Sequence, residues 1–307
     1  MTLDMQAMPQ AAATSTAIDL SRLPPPDVVE ALDYETILAE LTADLAARLP
    51  SFTAFLESDP AIKILQIVAY RELLLRQRVN DASRAVLVAF AAAGDLDHIA
   101  ALFGVARLEL TPADPQTGAA AVMEADDDLR QRVLLAPDSY SVAGPRSAYV
   151  FHALSADGAV LDASATSPAP GEVVVSVLTG DGDGTAPAEL LALVDAAVGA
   201  DDVRPLTDQV TVQSAGILPF DIEAELTLYP GPDPQLILTT ASDGLDAMLA
   251  NNRRIGRDIT RSAIFGALHV AGVQNVSLAA PLADVVADDT QAAFAENITV
   301  IIAGYDE

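Results

Sequence analysis

Apolar residues recur at helical spacing through the first third of the chain and at alternate positions through much of the last third. In "DYETILAELTADLAARLP", Ile37, Leu38, Leu41, Leu45 and Leu49 return every three or four residues, and Pro50 stops the run. A longer segment opens with Asp59 as N-cap and Pro60 at the first helical position. Nothing interrupts it before about Ala92, which predicts a rod of roughly 50 Å at about 1.5 Å per residue. Ile64, Leu65, Val68, Leu75, Val79, Val86 and Phe90 give that rod one broad apolar face. Gly94 is expected to end it, and "DLDHIAALFG" to form a short second helix closing at Gly104.

"LTPADPQTG", with two prolines, reads as a boundary, after which the pattern becomes mixed. Helices are predicted near Asp127–Leu135 and Pro145–Ser155, then a strand at Ala159–Ala163 and a clear one in "GEVVVSVLTG". The helix "APAELLALVDAAVG" leads to the strand "DQVTVQSA". In "FDIEAELTLYP", Ile222, Ala224, Leu226 and Leu228 share one face, and Asp221, Glu223, Glu225 and Thr227 the other. That alternation describes a half-exposed antiparallel strand. Helices near Pro234–Asn251 and Asp258–Ala271 follow, then strands near Val273–Leu278 and Ile298–Ala303. The fold class is α+β: a helical N-terminal domain with one long helix, then a mixed or antiparallel sheet domain with flanking helices. The expected division is an arm over residues 1–32, a helical domain over 33–109 and an α+β region over 110–307. Whether that last region splits again near 215–235 stays open.

Composition narrows the function. The 307 residues suffice for two domains or one large one, and with 5% aromatic residues and no tryptophan the core must be aliphatic. That argues against an aromatic-lined sugar or nucleobase site. Forty-four acidic residues face 16 basic ones, for a formal net charge of −28, and Lys63 is the sole lysine. Nucleic-acid affinity through counterion release needs a basic surface, and anionic lipid repels an acidic one, so neither is an expected partner. Basic or metal-ion partners, or a high-salt environment, fit better. The absence of cysteine excludes disulfides, thiolate metal sites and thiol catalysis. Neither a signal-peptide pattern nor an apolar run longer than "AVLVAFAAA" is present, so a cytoplasmic or particle-bound soluble form is expected, without membrane insertion.

Chemistry is sparsely advertised. "LTGDGDGTAPAEL" resembles a ligand loop, but counting from Asp181 puts Ala186 at the sixth position and Ala192 at the twelfth, where a helix–loop–helix calcium site needs Gly and Glu. A phosphate loop would need lysine where Thr185 stands. A strand-to-helix turn is the better reading, with Thr185 placed to cap the helix. Asp95 and Asp97 suit a helix N-terminus. His98 has Leu102 where a second metal ligand would sit, and His152 and His269 stand alone in apolar surroundings. There is no G-x-S-x-G or H-E-x-x-H motif, so no catalytic residue, cofactor or metal ligand is assigned. Arg71, Arg76, Arg78 and Arg84 gather scarce positive charge on the middle of the long helix, which marks it as a candidate assembly strut.

"DDVRPLTDQVTVQSAGILPFDIEAELTLYPGPDP" resembles the signature region of baseplate J-like proteins, the wedge proteins of contractile phage tails and related injection machines. "DPAIKILQIVAYRELLLRQRVNDASRAVLVAFAAAGDLDHIAALFGVAR" and "IGRDITRSAIFGALHVAGVQNVSLAAPLADV" extend the likeness in the same order over about Asp33–Gly304. The acidic composition and the small-residue N-terminal extension depart from the family pattern. The residues themselves make Arg204, Pro205 and Asp208 a structural corner: Pro205 fixes φ before the strand of Val210–Val212, and Arg204 and Asp208 are placed to pair across the bend. A pure folding role and a partner-contact role for this corner both remain open.

The resemblance implies a non-enzymatic, architectural role in the baseplate of a virion tail or tail-like particle, assembled in the bacterial host cytoplasm. Its implied partners are other copies of the chain, a second wedge protein, a sheath-initiator subunit and the central spike and hub proteins. Together these form the ring that couples baseplate opening to sheath contraction. An acidic carboxylate-dependent hydrolase and a cation-binding module are the alternatives.

Overall fold

The computed structural model describes residues 31–52, 56–141, 143–231 and 233–306, so residues 1–30 of the expected arm lie outside the described residues. Described residues up to Ala106 together with Asp126–Arg130 form one compact unit, and Arg107–Ala125 with the residues from Gln131 onward form another.

The first unit is helical: α1 (Tyr34–Arg48), α2 (Pro60–Ala85) and α3 (Ala93–Leu102). Asp33 starts α1 by accepting the Glu35 N–H at 3.1 Å, and Asp59 starts α2 by accepting the Ala61 N–H at 2.8 Å. The rod is shorter than its pattern predicts, about 39 Å at the helical rise per residue. It stops at Ala85, seven residues before the expected end, and Gly94 lies inside α3 instead of ending α2. The cause is partly local and partly distant. Val86 and Val88 are β-branched, and the Arg130 guanidinium takes the carbonyls of Val88 (2.7 Å) and Ala91 (2.8 Å). Asp126 then accepts the Ala93 N–H at 3.0 Å, so α3 begins on a cap supplied from 33 residues away.

The second unit opens with the short antiparallel pair β1 (Glu109–Thr111) and β2 (Val122–Met123), which the sequence pattern does not reveal. After α4 (Asp126–Ser139), whose first residues belong to the other unit, come α5 (Arg146–Ala156), β3 (Val160–Thr166), β4 (Glu172–Thr179), α6 (Ala188–Val198) and β5 (Gln209–Ser214). The sheet order is β3-β4-β5, with β3 antiparallel and β5 parallel to β4. Val175 and Val177 pack with Val194 and Val198 of α6 and with Tyr149 and Ala153 of α5. The α6 crossover is what allows β4 and β5 to run parallel.

A second sheet follows: β6 (Gly216–Leu228), α7 (Pro234–Asn252), α8 (Arg261–Leu268), β7 (Val273–Ala280) and β8 (Gln291–Tyr305), ordered β7-β6-β8. Ile222, Ala224, Leu226 and Leu228 are buried against Ile237, Ala241 and Leu245 of α7 and Ile264 and Leu268 of α8, the face that the alternation assigns to the core. The expectation of a simply antiparallel strand is corrected. β6 is the central strand, antiparallel to β7 but parallel to β8. The chain is α+β with mixed sheets, as expected.

One buried ion pair ties the start of the second unit. Arg132 grips Glu124 with both arms, Nε to Oε1 at 2.8 Å and Nη2 to Oε2 at 2.6 Å, with both side chains buried. Glu124 also accepts the Leu108 N–H at 3.1 Å, and its backbone carbonyl accepts from Arg107 at 2.6 Å. Removing one partner leaves the other charged and desolvated. Arg132→Ala should therefore cost about 3–5 kcal/mol of stability in urea unfolding, and Arg132→Met with Glu124→Leu should recover most of it.

Candidate functional site: the strand corner and the exposed helix face

The stretch carrying Arg204, Pro205 and Asp208 is the return corner between α6 and β5. The Asp208 N–H donates to the Pro205 carbonyl at 3.1 Å, closing a turn, and the Gln209 N–H donates to Gly171 at 2.7 Å to begin β5. Arg204 spans the corner: its Nε donates to the Gly199 carbonyl at 3.0 Å and its Nη1 to the Asp208 carbonyl at 3.1 Å. The last turn of α6 and the first residue before β5 are thus held by one guanidinium. The expected pairing of the Arg204 and Asp208 side chains does not form. The Asp208 carboxylate instead accepts the Tyr149 hydroxyl at 2.9 Å, and the ionic partner of Arg204 is the exposed Asp201 at 3.8 Å. Burial, and then the bond to Asp208, raise the Tyr149 phenol above its ordinary pKa and keep it a donor.

Pro205 closes the corner from below. A Cβ on Gly144 would lie 2.7 Å from Pro205 Cγ, and Gly144 has φ +71°, so this approach requires glycine. The rigid turn holds Leu206 outward, 94% exposed.

The loop "GDGDG" (180–184) is a turn. The Thr185 N–H donates to Asp183 at 2.9 Å, which holds that carboxyl below its usual range, and Thr185 bridges back to Leu178. Thr185 does not cap the helix as expected, because α6 starts at Ala188 with Pro187 as N-cap. The Gly182 carbonyl accepts from Arg253 at 2.7 Å, across from the second sheet. Next to it, the Ile255 N–H donates to Asp162 at 2.8 Å, and Arg254 donates to the Leu161 carbonyl. Burial pushes the Asp162 carboxyl up, against the pull of the Arg254 charge and the Ile255 N–H. Asp162 is engaged in the junction between the two sheets. No group of three acidic or histidine side chains among the described residues is arranged to hold a metal ion.

The three histidines are dispersed over α3, α5 and the C-terminal cap of α8, at His98, His152 and His269. Burial holds His152 below the ordinary imidazole pKa, so it stays neutral near pH 7.

On α2 the outward side is the apolar one. Ile62, Ala69 and Asn80 are buried, and Leu65, Leu73, Arg76 and Ser83 are half-buried. The opposite side exposes Ile64 (61%), Ile67 (62%) and Leu75 (63%), with Val68, Leu74 and Val79 also exposed. The large apolar residues that the pattern groups into one face are therefore mostly turned to solvent, while Arg76, Asn80 and Ser83 point inward. Arg71, Arg78 and Arg84 are exposed on the helix, and Arg76 binds Glu72 at 3.0 Å through its Nε. α2 carries five basic residues against two acidic ones, the reverse of the chain's −28. No helix among the described residues is long and apolar enough to cross a membrane.

Three consecutive family models match this arrangement: the baseplate J-like N-terminal domain over residues 57–114, the central domain over 141–214 and the C-terminal domain over 220–301. The chain belongs to the baseplate J-like family. It is 50% identical over 299 residues to baseplate protein J of Escherichia phage P2, spanning 94% of this chain and 99% of that protein. Among solved structures, a chain of the anti-feeding prophage baseplate matches loosely, with a TM-score of 0.33 and 12% identity over 86% of this chain. The chain spans about half of that one, 53%.

The Asp162 site has a defined pH signature. A carboxyl whose folded pKa lies above its unfolded value, about 3.9, contributes most stability below that value and loses it as pH rises through the folded pKa. Asp162→Asn removes this titration. The stability of the variant relative to wild type should improve between about pH 4 and pH 7, and urea midpoints measured at both values would show it.

Proposed function

We propose that the chain is a structural wedge component of a contractile phage-tail or tail-like baseplate. It forms a ring around the central hub with other copies of itself, a second wedge protein, a sheath-initiator subunit and the spike and hub proteins, and that ring links baseplate opening to sheath contraction. Family membership and the 50% identity to a phage baseplate protein support the baseplate role. The proposed site is the virion baseplate, filled by assembly in the host cytoplasm, and the role is not enzymatic.

The observation that carries the assembly reading is the outward face of α2, where exposed Ile64, Ile67 and Leu75 are interspersed with the exposed Arg71 and Arg78. A face with Ile64, Ile67 and Leu75 each more than 60% exposed is unfavourable in water and becomes favourable when a neighbour covers it. Basic residues around it fit an acidic neighbour, and every other copy of this chain is acidic. The corner at Arg204, Pro205 and Asp208 supports the same role, because it fixes the α6–β5 connection rigidly and offers Leu206 as a contact. In this reading the described second unit is the frame and α2 the strut. The acidic hydrolase reading has no comparable support, since Asp162 is held by Arg254 and by the Ile255 N–H.

The reading predicts that Ile67→Asp with Leu75→Asp leaves the purified chain folded, because both positions are exposed. When supplied in place of the wild-type chain in producing cells, the variant should be absent from sedimented particles, with contractile particle yield reduced at least tenfold. Incorporation at the wild-type level would contradict it.

A further inference from the structure

The second sheet ends in a strand that has the features of a docking edge. β8 runs for 15 residues and pairs, parallel, with β6 on one side only among the described residues. About half of its backbone N–H and C=O groups therefore face away from the sheet. Its register against β6 is unbroken from Asn297 to Ile302. The stretch "NITVIIAGY" (297–305) contains no charge and no proline, two of the devices that block strand addition. The opposite edge, β7, is shorter, with 8 residues against 15, and both ladders carry two irregularities, the second of β8 falling at Ala303.

Both faces of β8 are incompletely covered. Val300 and Ile302 point to the core but are only partly buried, while Ile301 (49%) and Tyr305 (58%) lie exposed on the other face. The charge around them has a single sign. Across β6, β7 and β8 the charged side chains are Asp221, Glu223, Glu225 and Glu296, all exposed and all acidic. The four arginines of this module, Arg253, Arg254, Arg257 and Arg261, all donate to backbone carbonyls, and the one that meets β8, Arg253, lies over Phe294, upstream of residues 297–305. Glu223 and Glu225 stand directly opposite Thr299 and Ile301.

We propose that β8 is a strand-addition site for an extended basic segment of another protein, in which apolar and basic side chains alternate. An added strand would lie about 5 Å from β8 and about 10 Å from β6. Lysine or arginine at alternate positions would then reach across Thr299 and beside Ile301 to Glu223 and Glu225. The intervening apolar residues would cover Val300 and Ile302 on the other face. Backbone hydrogen bonds supply the attachment and the two glutamates select the sequence. A second copy is the poorer occupant, because pairing two β8 edges brings two wholly acidic sheet faces together. This inference goes beyond the role of α2 and stands on different residues.

The test uses the full chain and a fluorescein-labelled ten-residue peptide of alternating valine and arginine. A scrambled peptide of the same composition is the control. The alternating peptide should bind and protect the amides of residues 297–305 from hydrogen exchange. Glu223→Gln with Glu225→Gln should weaken it at least tenfold. Thr299→Lys with Ile301→Lys, which sets competing cations over the glutamates, should abolish it, with both variants melting near the wild-type temperature. Three results would overturn the proposal: equal affinity for the scrambled peptide, unchanged affinity in both variants, or protection confined to residues outside β8. Dimers of the free chain that the Thr299→Lys/Ile301→Lys variant dissolves would also overturn it, by assigning the edge to a second copy.

Discussion

The interaction on which this structure depends is the arginine guanidinium donating to backbone carbonyls. With one lysine and 15 arginines against 44 acids, the chain has few cations to place. Most of those in the second unit close the ends of elements, where helices and strands leave carbonyls without internal partners. Arg204 closes the α6–β5 corner, Arg253 holds the 180–184 turn, Arg254 holds the end of β3 near Leu161, and Arg261 holds Leu278 at the end of β7. In the first unit, Arg130 does the same for the broken end of α2. Guanidinium suits the task because its planar donors stay charged and reach two acceptors at once. A carboxylate-rich surface makes these clamps more useful, since each also offsets local negative charge.

Against that pattern, α2 is the exception. Its exposed arginines point outward beside an apolar face, while polar Arg76, Asn80 and Ser83 take the inward side. A helix that stabilised only its own unit would bury Ile64, Ile67 and Leu75. Their exposure makes sense in a chain whose final environment is an assembly, and membership of the baseplate J-like family gives that assembly a class.

Much of this was legible in the sequence. Asp59 announces α2 because capping is a local interaction, and the alternation at Ile222–Leu228 marks the buried side of β6 because it has the period of a pleated strand. What local pattern could not show was anything decided by a distant partner. The early end of α2 depends on Arg130, 42 residues away from the carbonyl at Val88. The first half of β8, "QAAFAEN", has an alanine-rich composition with helical leanings and becomes strand through its ladder with β6. The corner was recognisable as a corner from Pro205, but the partner of Asp208 was not, since Tyr149 lies 59 residues earlier. The direction of the α2 face was equally hidden, because spacing shows that apolar residues share a side but not whether their own fold covers it.

The proposed role requires α2's apolar face to be exposed in the free chain and covered in the assembled particle. The natural absence of cysteine allows a direct measurement, with single Ile67→Cys and Leu75→Cys variants reacted with a maleimide before and after incorporation. Rapid labelling of the free protein is expected, with at least a tenfold slower reaction in intact particles. Equal labelling rates in the two states would contradict it.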